Sequence, residues 1–392
     1  MKPIRMRAQR PGSPGVATVQ ALFSKGWKKA RGFFQALGKS AGTFPSLGNA
    51  AFVWLACGSL AAGAAEAPDV AALRAEVRGL GWLVFAARSA AGDYDLFLCR
   101  PDGSALRNLT QTPDANEAYP LFSRDGTRLL YRRLARTETI NGNDYGTQGR
   151  LCLARADGAG AQTLGGDGEF PWASWSPDGR QLLCLAPQGF QIVDLASRKV
   201  VRTLPRAGFF QQPTWSPDGR AIVGVANAFG ESWSIGRMDM AGGAASAVHV
   251  QDCCTPDWFP DSAHIIFSWR PAGQTLNKGY GWTQLWRKAA KGGPAQLVLA
   301  EEGRHIYGGH VSPDGRYVIC TGNMQEDGDP AHSGAPMSLM RLCDAPLIIG
   351  ANAALRTTHP AAKSGPVLAL PVGWEPCWTL RELPAGGGGA KP

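Results

Sequence analysis

Trp215-Ser216-Pro217-Asp218-Gly219-Arg220, followed by Ala221-Ile222-Val223-Gly224-Val225, is the stretch that decides the fold. Proline at the second turn position is pre-set near the φ of a type I turn, aspartate bonds its own backbone, and glycine tolerates left-handed φ. An apolar run on each side makes the unit a β-hairpin. The unit recurs along the chain, and the recurrence carries the architecture.

From residue 68 onward one module returns. It has an inner strand ending in an aromatic residue, the Pro-Asp-Gly turn, a second apolar strand, a variable connection, a third strand, a glycine turn and a fourth strand. The anchors are Phe122, Trp175, Trp215 and Trp258, with Val311 substituting in Val311-Ser312-Pro313-Asp314-Gly315-Arg316. Repeats of 40 to 53 residues built from strands alone are the signature of a β-propeller with four-stranded blades. Gly81 to Ala87 is a second strand without a first, followed by Leu96-Phe97-Leu98-Cys99 and Leu106 to Leu109. The missing first strand stands at the other end, as Glu375-Pro376-Cys377-Trp378-Thr379-Leu380. Joining the two predicts an all-β, six-bladed propeller of four-stranded antiparallel blades, closed by a C-terminal strand that completes the first blade. Closure of this kind removes the open sheet edge.

Tyr94 to Ser104, then Leu109-Thr110, then Phe122-Ser123-Arg124-Asp125-Gly126 resembles the repeat of TolB-like propellers of the bacterial periplasm. The resemblance spans nearly all of residues 80–380. It implies a six-bladed propeller, an exported location and a binding or scaffolding role. In place of the separate N-terminal α/β domain of TolB itself, residues 1–67 are basic and signal-like, so a Tol–Pal role is not expected.

The formal charge of +9 invites a polyanion-binding reading, and its distribution removes it. Nine of the Lys and Arg residues lie within residues 1–49, the first acidic residue is Glu66, and the remainder is balanced. Nucleic-acid binding by the main body therefore loses its electrostatic support. Behind the basic segment, Ala50 to Ala65 is uncharged and ends in small residues, as a secretory signal does. It is short for a spanning helix, so cleaved export is expected over a retained membrane anchor. Leu55-Ala56-Cys57-Gly58 suggests a lipoprotein acceptor only faintly, because Trp54 stands where a small aliphatic residue belongs. The expected organisation is 1–67 basic segment plus signal or anchor, 68–383 propeller, and 384–392 Gly-rich tail. The protein is expected to be periplasmic and monomeric, meeting the membrane only through residues 50–65.

Nine cysteines in an exported chain raise the question of disulfides. Cys99, Cys152, Cys184 and Cys320 sit inside apolar strand runs, where cysteine behaves as a small hydrophobe. Adjacent Cys253 and Cys254 have no zinc-site spacing. No phosphate loop or dinucleotide fingerprint follows a strand, and Gly-x-Ser-x-Gly is absent from residues 68–392.

In a propeller the turns between first and second strands lie on one face, and the connections between second and third strands on the other. Here the former are the tight Pro-Asp-Gly turns. The long insertions, Arg132 to Gly149, Arg270 to Trp282 and Gly322 to Pro336, are expected to be all of the latter kind, which marks that face for binding. Tyr145, Tyr280 and Trp282 in these insertions are ligand-binding candidates. The residues three before each anchor, Tyr119, Trp172, Gln212, Thr255, Gly308 and Glu375, should line the channel near the same face. Rings beside amide and carboxylate groups suit a sugar or a peptide end, although Tyr119 and Trp172 read first as a plug that fills the channel. The expected function is non-catalytic binding of an envelope protein or glycan, with no cofactor and no metal. The alternative is a carbohydrate-active enzyme, similar to oligouronide lyases, with a divalent metal at the channel and His305, His310, Gln325 and Glu375 as its residues. Asp327-Gly328-Asp329 lacks the closing glutamate of a calcium loop and reads as a solvated turn.

Overall fold

Each Pro-Asp-Gly turn satisfies its own polar groups, and this is what makes the repeat a folding unit. The computed structural model describes residues 66–137, 149–230, 233–271, 282–323, 336–350 and 353–384. In four turns the serine hydroxyl donates to the aspartate: Ser123 to Asp125 (2.6 Å), Ser176 to Asp178 (2.7 Å), Ser216 to Asp218 (2.6 Å) and Ser312 to Asp314 (2.6 Å). The same hydroxyl accepts the N–H five residues on, from Arg128, Gln181, Ala221 and Tyr317, at 2.9–3.0 Å. The glycine takes φ between +66° and +77°, where a Cβ would be strained. The fifth turn, Phe259-Pro260-Asp261-Ser262, puts Ser262 at φ +58° instead, and Asp261 still accepts the N–H of Ala263 at 2.8 Å.

A helix, α1 (Pro68–Val77), precedes the strands. The first blade holds β1 (Trp82–Arg88), β2 (Tyr94–Cys99) and β3 (Arg107–Asn108), with the last strand of the chain, β25 (Trp374–Thr379), paired to β1. The second is β4 (Ala115–Phe122), β5 (Arg128–Ala135), β6 (Arg150–Arg155) and β7 (Gln162–Leu164). The third is β8 (Trp172–Trp175), β9 (Gln181–Ala186), β10 (Gly189–Asp194) and β11 (Lys199–Leu204). The fourth is β12 (Phe209–Trp215), β13 (Ala221–Ala226), β14 (Ser234–Asp239) and β15 (Ser246–His249). The fifth contains β16 (Cys253–Trp258), β17 (His264–Trp269), β18 (Gln284–Ala289) and β19 (Gln296–Glu301). The sixth contains β20 (His305–Val311), β21 (Tyr317–Asn323), β22 (Pro336–Arg341) and β24 (Leu368–Val372).

Two anchor tryptophans lock neighbouring blades, and a third ties the closing strand to the segment before β1. The indole N–H of Trp175 donates to the Leu121 carbonyl at 2.9 Å, that of Trp258 to Thr214 at 3.1 Å, and that of Trp378 to Leu80 at 2.7 Å. A large apolar body with one donor at its tip suits a seam between two sheets, because the donor needs a partner once buried.

Two features depart from the sequence expectation. The blades are not all four-stranded and antiparallel: β23 (Leu347–Ile349) pairs parallel with β19, giving the fifth blade a fifth strand. It belongs to a long connection between β22 and β24 that also forms α2 (Ala353–Thr358). The insertions are therefore not all of the second-to-third kind, since this one joins a third strand to a fourth. Ile348 is fully buried and Leu355 packs in the same cluster as Trp286 and Leu297, so apolar burial on the flank of the fifth blade drives the excursion. The run carries no Pro-Asp-Gly turn and its partner strand is remote, so the repeat pattern cannot reveal it.

The ring closes as expected, Leu83 pairing with Trp378 and Val84 with Cys377. Gly373 is required by contact: a Cβ there would stand 2.3 Å from Phe85 Cδ2 and 3.0 Å from the Ala86 carbonyl oxygen. α1 clasps this closure. Its Leu73 and Val77 are fully buried in a cluster that draws Leu83, Phe85 and Trp378 from the first blade and Tyr317, Ile319, Met337, Leu339, Leu368 and Leu370 from the sixth. Pro68 at the start of α1 lacks the N–H that would be unpaired there anyway. Arg78 pairs with Asp102 at 2.8 Å, while Glu76 accepts hydrogen bonds from the Tyr317 hydroxyl and from Arg341 Nε.

Among the described residues no helix is long and apolar enough to cross a membrane. The proposed signal, residues 50–65, and the tail from residue 385 lie outside the described residues. Cys99, Cys152, Cys184 and Cys320 are buried free thiols, as their strand positions predict.

Candidate functional site

The innermost strands carry a bulge at one recurring place. Register shifts fall between Ala118 and Leu121, Gln211 and Thr214, Cys254 and Asp257, and Tyr307 and His310, and opposite Glu375 in β25. The bulged residue takes left-handed φ: Tyr119 +54°, Gln212 +48°, Thr255 +50°, Gly308 +57° and Glu375 +54°. These are the channel residues that the spacing from the anchors picks out. Trp172 alone lacks the bulge, since β8 pairs regularly with β9.

A bulge leaves its N–H outside the ladder, and a side chain of the preceding blade accepts it. Glu375 Oε2 accepts from Tyr119 N (2.8 Å), Gln212 Oε1 from Thr255 N (2.9 Å), and Thr255 Oγ1 from Gly308 N (3.1 Å). Gly308 has no side chain to continue the chain, and Thr321 Oγ1 accepts from Glu375 N in its place (3.2 Å). Tyr119 meets Trp172 edge to face, ring centroids 4.8 Å apart. The upper ring is thus a hydrogen-bonded girdle joined to an aromatic plug. Burial raises the Glu375 pKa to about 8, against the opposing effects of the Tyr119 N–H and Arg132. Its carboxyl is consequently mostly protonated at neutral pH.

One step further along the channel, the residue just before each anchor forms a lower ring: Leu121, Ser174, Thr214, Asp257, His310 and Cys377. Asp257, His310 and Cys377 come from three adjacent blades. Asp257 Oδ2 pairs with His310 Nδ1 at 2.8 Å, and Asp257 Oδ1 accepts the Trp258 N–H at 2.8 Å. Cys377 Sγ accepts the Phe122 N–H at 3.3 Å. Burial works to lower the His310 pKa, but the electrostatic pull of Cys377 and Asp257, with the Asp257 hydrogen bond, carries it well above the usual histidine value.

Three of the four residues of the enzyme alternative lie among the described residues, each with contacts of its own. His305 is fully buried, its Nδ1 accepting the Thr283 N–H at 3.0 Å, with its ring 4.6 Å from that of Trp282 and 5.9 Å from that of Tyr307. His310 is engaged with Asp257, and Glu375 with Tyr119. Gln325, Tyr145, Tyr280 and the Asp327-Gly328-Asp329 turn lie outside the described residues. Among the described residues no group of three or more His, Cys, Asp or Glu is arranged to hold a metal ion. Trp282 is half-buried two residues before β18, with its ring against His305. The lower ring is missing from the sequence expectation although its signal is simple, namely the position immediately before each anchor.

No family model and no curated protein matches the chain. Solved structures do. TolB from Acinetobacter baumannii is 18% identical, with a TM-score of 0.54 over 77% of this chain and 67% of that one. A putative TolB from Agrobacterium tumefaciens is 19% identical, covering 66% of this chain and 84% of that one, with a TM-score of 0.43. An oligogalacturonate lyase in complex with manganese matches at 14% identity and a TM-score of 0.39, over 67% of this chain and 69% of that one. The molecule is a six-bladed β-propeller. Its fold is the TolB-like one, and at these identities the likeness speaks for fold alone.

Proposed function

We propose that the chain is an exported, monomeric propeller that binds an envelope protein or a glycan through its loop-rich face and channel mouth, making and breaking no bond in that partner. One observation carries this reading: the long connections β5–β6, β17–β18 and β21–β22 all leave and re-enter their blades at the same end, whereas the first-to-second turns at the other end bond within themselves. Loops on a rigid frame can vary without disturbing the frame, and recognition is usually carried there. Because the upper-ring contacts already occupy the N–H groups of Tyr119, Thr255, Gly308 and Glu375, the observation favours a partner seated across the mouth over a small sugar held inside. The reading asks for no cofactor, and for membrane contact only through residues 50–65.

A thermal-shift screen of the full chain against cell-wall glycans, oligouronides and envelope-derived peptides tests it. A shift abolished by Ala228→Glu, in the exposed β13–β14 connection of the loop-rich face, and kept by Arg220→Glu on the opposite face is the expected result. The reverse pattern would overturn the assignment of the face.

A further inference from the structure

The outermost strand of a blade has one edge that its own blade leaves open, and such an edge offers unpaired N–H and C=O groups to any extended chain. Most outer strands of this ring are short: β3 has two residues, β7 three, β15 four and β24 five. β11 and β19 alone reach six. The edge of β19 is covered, because β23 pairs in parallel with Leu299, Ala300 and Glu301. β11 ends its sheet, and among the described residues no strand lies beside it. We propose that β11, on the rim of the third blade, is a strand-addition site that takes an acidic, extended segment of a partner protein.

Exposure and charge define what the edge accepts. Lys199 to Thr203 are all exposed, and Val200 and Val201 present 46% and 54% of their surface to solvent. β-branched residues suit a half-buried pleated surface, which an added strand would complete. Main-chain hydrogen bonds supply the affinity in this mode of recognition, and side chains choose the partner. Here Arg198, Lys199 and Arg202 make the choice, since among the described residues no carboxylate pairs with any of them. The one acid of the β10–β11 hairpin, Asp194, accepts the Ser197 N–H and hydroxyl instead. Arg198 also lines a cleft of about 390 Å³ with Arg133 and Gln162, so positive charge continues past the first residue of β11.

The same charges turn other occupants away. A second copy would set Arg198, Lys199 and Arg202 against themselves, and the bulge at Val201, which pairs with no residue of β10, adds to the barrier against a like strand. Residues 1–65 and 385–392 contain no acidic residue, so neither end of this chain complements the edge. A strand bearing Asp or Glu meets attraction where a copy meets repulsion. The site is separate from the loop-rich face and does not rest on the reading of that face.

The test uses the purified full chain and a fluorescein-labelled peptide of four Glu-Val repeats, with binding followed by fluorescence anisotropy. Saturable binding is expected, weakened at least about tenfold in the double variant Lys199→Glu/Arg202→Glu, whose two positions are exposed. N-methylation of every amide keeps the charge of the peptide but bars it from the edge, and should weaken binding to a similar degree. Arg220→Glu, an exposed charge reversal on the fourth blade, should leave binding unchanged. Equal binding of the methylated peptide would reduce the contact to charge attraction and overturn the proposal. Equal binding by the double variant with unchanged circular dichroism would overturn it too, as would no binding of the Glu-Val peptide at all.

Discussion

Replacing Glu375 with glutamine should make the propeller more stable in mild alkali and leave it nearly unchanged in mild acid. Glu375 has a folded-state pKa of about 8, raised by burial from an ordinary value of 4.5. Between those values the folded chain binds a proton that the unfolded chain has released, so stability falls as pH rises from 4.5 towards 8. The full difference corresponds to about 5 kcal/mol, and a folded pKa one unit lower still leaves about 3 kcal/mol. Glutamine cannot ionise but keeps a carbonyl oxygen where Oε2 accepts the Tyr119 N–H at 2.8 Å. The assay is urea unfolding followed by tryptophan fluorescence, for both proteins, from pH 5 to pH 8.5. Glu117, whose pKa burial raises to about 7, adds to the pH slope of both proteins and cancels in the difference. The expected outcome is a small difference at pH 5 and an advantage for Glu375→Gln of about 3–5 kcal/mol at pH 8.5. A difference independent of pH, or a variant less stable at pH 8.5, would refute the buried-carboxyl account.

Three further perturbations test the frame. Leu73→Ala removes a fully buried side chain from the clasp over the closure and should cost about 2–4 kcal/mol in chemical denaturation. Gly373→Ala drives a Cβ to 2.3 Å from Phe85, where the closing strand cannot retreat without losing its register, and should lower the melting temperature sharply. Asp218→Ala deprives the Ser216 hydroxyl of its acceptor and the Arg220 N–H of one of its two, and should cost about 1–2 kcal/mol, with circular dichroism otherwise unchanged.

The blades and their closure were legible because Ser-Pro-Asp-Gly satisfies itself locally, and a local device leaves a local pattern. The upper ring was legible for a related reason, since a bulge recurring at a fixed distance from each anchor puts Tyr119, Gln212, Thr255, Gly308 and Glu375 at a fixed offset. What those side chains do was not legible, because each contacts the next blade some 40 or more residues away. Asp257 and His310 are single, unlike residues on two strands, and only the circular order of the blades makes them neighbours. His310 attracted notice beside His305 as a metal ligand, but the intervening bulge and different neighbours assign the two rings to separate environments. β23 and α2 break the repeat, and the apolar flank they cover becomes visible only after the fifth blade is built.

The central claim, that a partner seats on the loop-rich face, is tested most directly by photo-crosslinking in cells that express the full chain. A photoreactive residue replaces Thr137 or Ala228 on that face, or Arg180 or Arg220 on the face of the Pro-Asp-Gly turns, all exposed positions. The account predicts one discrete adduct from Thr137 and Ala228 and none from Arg180 and Arg220. Adducts arising from Arg180 and Arg220 alone would contradict it.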